Sequence, residues 1–173
     1  MAYSAVDVAR YVVNYSHDIG KPVSNLKLQK ILYYLQGYFF GYKNRTLFDD
    51  KIEAWALGPV VRSVYLEFCG HGGLSIPKVT SVPVHRADRG LEFDDTIDLF
   101  ETKPYEDVIK PADAHLIREL VRHLSDYSAT ALVDATHSRG PWKDYYREGL
   151  KVEIPMKAIE AYFKSIAARR DRT

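Results

Sequence analysis

Cys69 and His71 stand two residues apart in the run Cys69-Gly70-His71-Gly72-Gly73, and no other stretch comes nearer to a reactive or metal-binding spacing. A metal site would need a second close ligand pair, and none follows. A cysteine buried at a helix end is the reading that remains. His71-Gly72-Gly73 also matches part of an oxyanion-hole loop, but the G-x-S-x-G nucleophile elbow that accompanies such a loop is missing. His115 and His123 lie eight apart and bracket Arg118, Glu119 and Arg122, the pattern of a solvent-facing helix. Neither G-x-x-x-x-G-K-[ST] nor G-x-G-x-x-G occurs, so no loop is marked out to cradle phosphates. The carboxylates between Glu92 and Asp107 form the most acidic part of the chain, yet no D-x-D-x-D-G loop converges them on a cation, and they read as a solvated face. A hydrolase would need His71 or His137 beside an acid in a cleft, and the sequence offers no such adjacency. The expectation is a protein without catalytic residues, metal or cofactor.

The elements that would have to position any site are organised around Asn25 to Tyr42. Leu28, Ile31, Leu32, Leu35, Tyr38, Phe39 and Tyr42 recur at helical three-and-four spacing and predict one core face. Leu26, Tyr33 and Phe40 make a second apolar stripe, with Gly37 beside them where another backbone can come close. Lys27, Lys30 and Tyr34 share the one narrow polar edge, from which long side chains could offer charge and a hydroxyl to a partner. Gln29 and Gln36 fall at the boundary of the buried faces, where their amides need partners, expected to be backbone groups of a neighbouring loop.

Around this helix, Ser4 can cap a first helix carrying Val8, Tyr11, Val12 and Tyr15. Ser24 or Asn25 caps the central one, and Gly41 or Asn44 closes it. Leu47-Phe48 and Ile52 to Ala56 read as extended, separated by Asp49-Asp50. Gly58-Pro59 is expected to start a third helix through Val60, Val61, Val64, Tyr65 and Phe68. Short β-prone pieces lie at Val79 to His85 and Leu91 to Phe93. Asp113 and Ser128 can cap two later helices, Trp142 begins another turn, Val152 to Ile154 could be a strand, and Pro155 opens a closing helix that frays in its terminal arginines. The fold class is therefore mainly α (α+β): a single compact helical domain, residues 1–173, around a buried helix, with a small antiparallel β element from Ile52 to Ala56 and the 79–93 region.

Composition agrees with that class. Hydrophobic residues make up 46% and charged residues 27%, a globular balance, and a lone cysteine excludes a disulfide framework and suits a reducing cytoplasm. Net charge of +1 argues against a nucleic-acid-coating surface, so that any such binding through Arg169, Arg170 and Arg172 would be weak. No signal peptide, bilayer-spanning run, internal repeat or second domain is evident, and no membrane partner is expected.

Lys27-Leu28-Gln29-Lys30-Ile31-Leu32-Tyr33-Tyr34-Leu35-Gln36-Gly37, followed by Ile52-Glu53-Ala54-Trp55 and Gly58-Pro59-Val60-Val61, resembles the signature of the SocA-like, or Panacea, antitoxin domain. Thr136-His137 with Pro141-Trp142, and the closing Ile154, Ile159, Tyr162 and Phe163, extend the resemblance over nearly the whole chain. Leu35 and Tyr38 depart from the alanine and tryptophan common in the family. No zinc-finger or helix-turn-helix extension of the kind some relatives have is expected in this chain, which weakens any inference of specific operator binding. The resemblance implies an antitoxin whose partner is a cognate protein toxin encoded beside it. The toxin would be neutralised by direct binding or, as in one branch of the family, by delivery to a bacterial AAA+ protease. A DNA-binding regulator of its own operon, and a hydrolase using His71 or His137, are the alternatives. Of the shared residues, Trp55, Gly58, Pro59 and Trp142 each have a packing or turn explanation, which places the signature with structure.

Overall fold

In the computed structural model, which describes residues 2–79, 82–83, 102–103 and 108–170, seven helices and two small sheets are present. The helices are α1 (Ala5–Asp18), α2 (Asn25–Lys43), α3 (Arg62–Phe68), α4 (Pro111–Ser125), α5 (Ala129–Ser138), α6 (Trp142–Tyr145) and α7 (Met156–Arg170). The strands are β1 (Ile52–Trp55), β2 (Gly58–Val61), β3 (Val82–Pro83), β4 (Thr102–Lys103) and β5 (Val152–Ile154).

α2 is central because its sequence leaves almost no side to water. Leu28, Ile31, Leu32, Leu35 and Phe39 are fully buried, and Tyr33 and Phe40 of the second stripe are buried as well. Helices α1, α3, α4, α5 and α7, together with β2, pack against it. Ser24 caps it, its hydroxyl accepting from the Lys27 amide, and Asn44 ends it in the left-handed conformation at φ 52°. α7 approaches most closely where Gly37 opens a notch filled by the Phe163 ring, and Gly41 continues that line beneath Ala167. The core face is shorter than the spacing predicts: Tyr38 is only half-buried and Tyr42 is 51% exposed, since the last turn of α2 runs past the elements that cover the rest.

Several expectations are corrected. Gly58, Pro59, Val60 and Val61 do not begin a helix. They form β2, antiparallel to β1 with Trp55 opposite Gly58, and the helix starts only at Arg62. Gly58 at φ +96° closes the two-residue hairpin loop, while Pro59, which has no N–H to donate, sits on an outer strand, and the paired valines suit a pleated surface. β1 then pairs with β5, giving the antiparallel order β2-β1-β5, and the described residues of the 79–93 region do not join this sheet. Val82–Pro83 pairs separately with Thr102–Lys103; the rest of the β-prone segment, most of the acidic 92–107 stretch and the terminal Arg172 lie outside the described residues.

Two caps also differ. Ser4 occupies the N-cap of α1 without a side-chain bond, and the Ala5 amide donates instead to Asp50 at 3.1 Å. Asp113 lies within the first turn of α4, which opens at Pro111, with Lys110 at the N-cap; its buried carboxylate takes the Tyr3 hydroxyl at 2.7 Å and Arg45 at 2.5 Å. Burial opposes ionisation of Asp113, but those two partners outweigh it and hold the carboxyl below its usual range. Ser128 does cap α5 through the Ala131 amide, and Val152–Ile154 is a strand.

The Gly37 notch yields a direct test. A Cβ at Gly37 would land inside the Phe163 ring, so Gly37→Ala should cost about 1–3 kcal/mol through overpacking. Phe163→Leu in the same chain should recover part of that loss, because it vacates the space. Thermal melts of the two single variants and the double variant check this; strictly additive losses would mean that the notch and the ring do not meet.

Candidate functional site

The residues singled out by spacing do not share one edge. Lys30 is fully buried, in the angle between α2, β2 and α5, and its Nζ donates to the Pro59 carbonyl at 2.8 Å. Lys27 is half-buried on another side of α2, with its Nζ on the Ser125 carbonyl at 2.9 Å. Tyr34 lies half-buried beside Tyr162, Tyr38 and Arg139. The polar edge is therefore corrected: α2 turns Lys30 inward because the hairpin loop and α5 close over it, and only Tyr34 is left on a surface that a partner could reach with its side chain otherwise unengaged by protein backbone.

Lys30 belongs to a buried polar cluster. A Cβ on Gly58 would come within 2.8 Å of both the Lys30 Nζ and the Thr136 hydroxyl, so glycine is required there by space as well as by its positive φ. Thr136 Oγ1 donates to the Val133 carbonyl at 2.7 Å. The next residue, His137, stacks on Trp142 with ring centroids 3.8 Å apart, and Trp142 stacks in turn on Tyr146 at 4.6 Å. Trp142 Nε1 donates to the Trp55 carbonyl at 2.9 Å, which ties the stack to the end of β1. Pro141, buried, places Trp142 at the start of α6.

The electrostatics of this interior follow from burial. Desolvation pulls Lys30 down to a pKa of about 7, since no carboxylate compensates the ammonium. Burial and then the charge of Lys30 lower the basicity of His137, with Asp134 acting the other way, and His137 Nε2 is buried without a hydrogen-bond partner among the described residues. Tyr34 is pushed up to about 12 by burial and by Tyr162 and Tyr38, against the lowering effect of Arg139. Tyr33, whose hydroxyl is buried against Gly140, is raised further by burial.

The other signature residues hold backbone. Gln29 Oε1 accepts from the Val61 amide at 2.8 Å, and its Nε2 donates to Asn25. Gln36 Nε2 donates to the Phe48 carbonyl at 3.0 Å, while its Oε1 takes the amides of Leu47 and Phe48. Both amides thus do what burial demands of them. Leu28 and Tyr33 are core, and Trp55 packs on Tyr65 with Lys151 over its ring.

Cys69 is exposed rather than buried, because the 3-10 turn at Cys69–His71 projects beyond α3. Among the described residues no group of three His, Cys, Asp or Glu could hold a metal ion, no carboxylate hydrogen-bonds His71 or His137, and no helix is long and apolar enough to cross a membrane. Sequence reasoning missed Asn25, Thr136, Tyr162, Arg139 and Arg169 as members of polar or aromatic clusters. For the aromatic group a signal existed in the four-residue repeat Tyr34, Tyr38, Tyr42.

Fold and cluster together define a mainly helical α+β domain whose buried polar side chains fasten its own backbone. The chain belongs to the antitoxin SocA-like, Panacea-domain family, whose model matches residues 28–143. It is 30% identical over 138 residues to the antitoxin SocA of Caulobacter vibrioides, a match covering 78% of this chain and 66% of that protein, just under two thirds of its length. No solved structure gives a significant match.

The sign of the Lys30 effect is testable. Its folded value lies below the ordinary 10.5, so between about pH 7 and 10.5 the unfolded chain holds a proton that the folded chain does not, and stability rises with pH across that window. Urea denaturation should show a gain approaching about 1.4 kcal/mol per pH unit above pH 7 from this group. Lys30→Met, which removes the buried ammonium and leaves the Pro59 carbonyl unpaired, should lack that component. An unchanged slope in Lys30→Met would contradict the assignment.

Proposed function

We propose that this chain is an antitoxin that neutralises a protein toxin encoded beside it, by non-catalytic binding, in the cytoplasm. The observation that carries the reading is the family match over residues 28–143, which includes the whole of α2 from Leu28 and the β1–β2 hairpin. The arrangement of titratable groups supports a binding role: the two histidines weighed for hydrolysis have no carboxylate partner among the described residues, and Lys30 is sealed from substrate. A net charge of +1 favours a protein partner over nucleic acid. Of the partner contacts expected from spacing, Tyr34 is kept; Lys27 and Lys30 act on backbone carbonyls. Neutralisation takes the form of occlusion by the complex or of handing the toxin to a AAA+ protease.

The test is expression of the adjacent reading frame. Alone it should arrest growth, with this protein it should not, and the two products should co-purify. Toxin levels then separate the two forms, falling on co-expression if a protease is involved and holding steady if occlusion suffices. Growth arrest that this protein leaves untouched would overturn the reading.

A further inference from the structure

Tyr34, Tyr38 and Tyr42 repeat every fourth residue and so run in one line along α2 beside the seam with α7. Tyr34 and Tyr38 rest against the core on one side and stay half-exposed on the other, and Tyr42 is exposed. The rings are held in place. Tyr34, Tyr38 and Tyr162 each meet Phe163 edge to face, with centroids 6.1, 5.7 and 5.1 Å from it, and Tyr38 and Tyr42 stack on each other at 5.8 Å. Side chains already fixed by packing lose little freedom when a partner covers them.

Two arginines bear on these rings. Arg139 acts on Tyr34, and Arg139 and Arg169 act on Tyr162, with no carboxylate among the described residues acting on either ring. Both arginines are exposed, and among the described residues neither guanidinium forms an ion pair or hydrogen bond. Three other arginines are ion-paired, Arg10 with Glu67, Arg45 with Asp113 and Arg122 with Glu119, and Arg118 and Arg147 are hydrogen-bonded to Tyr11 and to backbone carbonyls. Two uncompensated guanidiniums flanking an ordered tyrosine ridge match the composition of interface hot spots, where tyrosine and arginine predominate, and their charge calls for carboxylates opposite.

We propose that Tyr34, Tyr38, Tyr42, Tyr162, Arg139 and Arg169 form the docking surface for an acidic face of the toxin, a proposal that rests on the antitoxin reading above. Protein is favoured over single-stranded nucleic acid because the rings already stack on one another or abut Phe163, leaving no series of open faces on which bases could stack.

The experiment uses the full chain with the product of the adjacent reading frame, in growth rescue and in calorimetric titration. Wild type should rescue and bind. Arg139→Glu with Arg169→Glu should keep the wild-type melting temperature yet weaken binding by at least about tenfold and abolish rescue, while Arg139→Lys with Arg169→Lys should retain most of both. Tyr42→Ala, at an exposed position, should also weaken binding with the fold intact. The wild-type affinity should fall with added salt more steeply than that of the Glu variant. If wild type rescues and binds but the Glu pair and Tyr42→Ala do so equally well, the surface is wrong and the antitoxin reading stands. If wild type itself neither rescues nor binds, the antitoxin reading fails and this surface loses its stated occupant. Loss of affinity for a single-stranded oligonucleotide, with toxin binding unchanged, would overturn the proposal in favour of nucleic acid.

Discussion

Hydrogen bonds from α2 side chains to the backbone of the hairpin and its preceding loop are the constraint on which the rest of this structure depends. A three-stranded sheet has two open edges, and an edge buried without partners leaves N–H and C=O groups unsatisfied at a cost of about 1–3 kcal/mol each. Here β2 lies against the central helix, and the helix supplies what a fourth strand would. Gln29 accepts from the Val61 amide and Lys30 donates to the Pro59 carbonyl. Seven residues beyond Gln29, Gln36 performs the same service for Leu47 and Phe48, whose backbone leads into β1. The apolar packing around α2 is nondirectional; these three polar side chains fix where the sheet sits upon it.

Lys30 is the unusual member. A buried amine with a carbonyl for its partner and no carboxylate is held near the boundary of ionisation, and the like-signed His137 lies in the same interior. Its surroundings are shaped to accept it. Gly58 leaves room for the ammonium, Thr136 turns its hydroxyl proton onto its own helix, and the His137–Trp142–Tyr146 stack seals the cluster and hooks onto Trp55. The residues of the family signature thereby connect α2, the hairpin, α5 and α6 in one arrangement. The docking surface proposed beside α7 lies outside this frame.

Periodicity made the central helix legible, including its second buried face at Tyr33 and Phe40. The demand that buried amides be satisfied pointed to backbone partners in a loop, which holds for Gln36, whereas Gln29 meets strand β2 and the Asn25 side chain instead. Short apolar runs were harder. Gly58-Pro59-Val60-Val61 carries both a helix-start proline and strand-forming valines, and only the pairing with β1, a contact between chain segments, decides for the strand. Lys30 reads as a surface lysine because its burial is imposed by β2 and α5, neither of which a helical wheel of α2 contains. Asp113 reads as a cap for the same reason: its true partners, Tyr3 and Arg45, are 110 and 68 residues away. Tyr42 shows the opposite error, apolar spacing that continues past the end of the core.

Amide hydrogen exchange on the native chain, followed residue by residue by NMR, tests the central claim most directly. If Gln29 and Gln36 stand in for a missing strand, the N–H groups of Val61, Leu47 and Phe48 should exchange as slowly as those of Leu32 in the middle of α2, opening only when the whole fold opens. Exchange of these three amides at the rate of an exposed loop, while the α2 amides stay protected, would contradict the account.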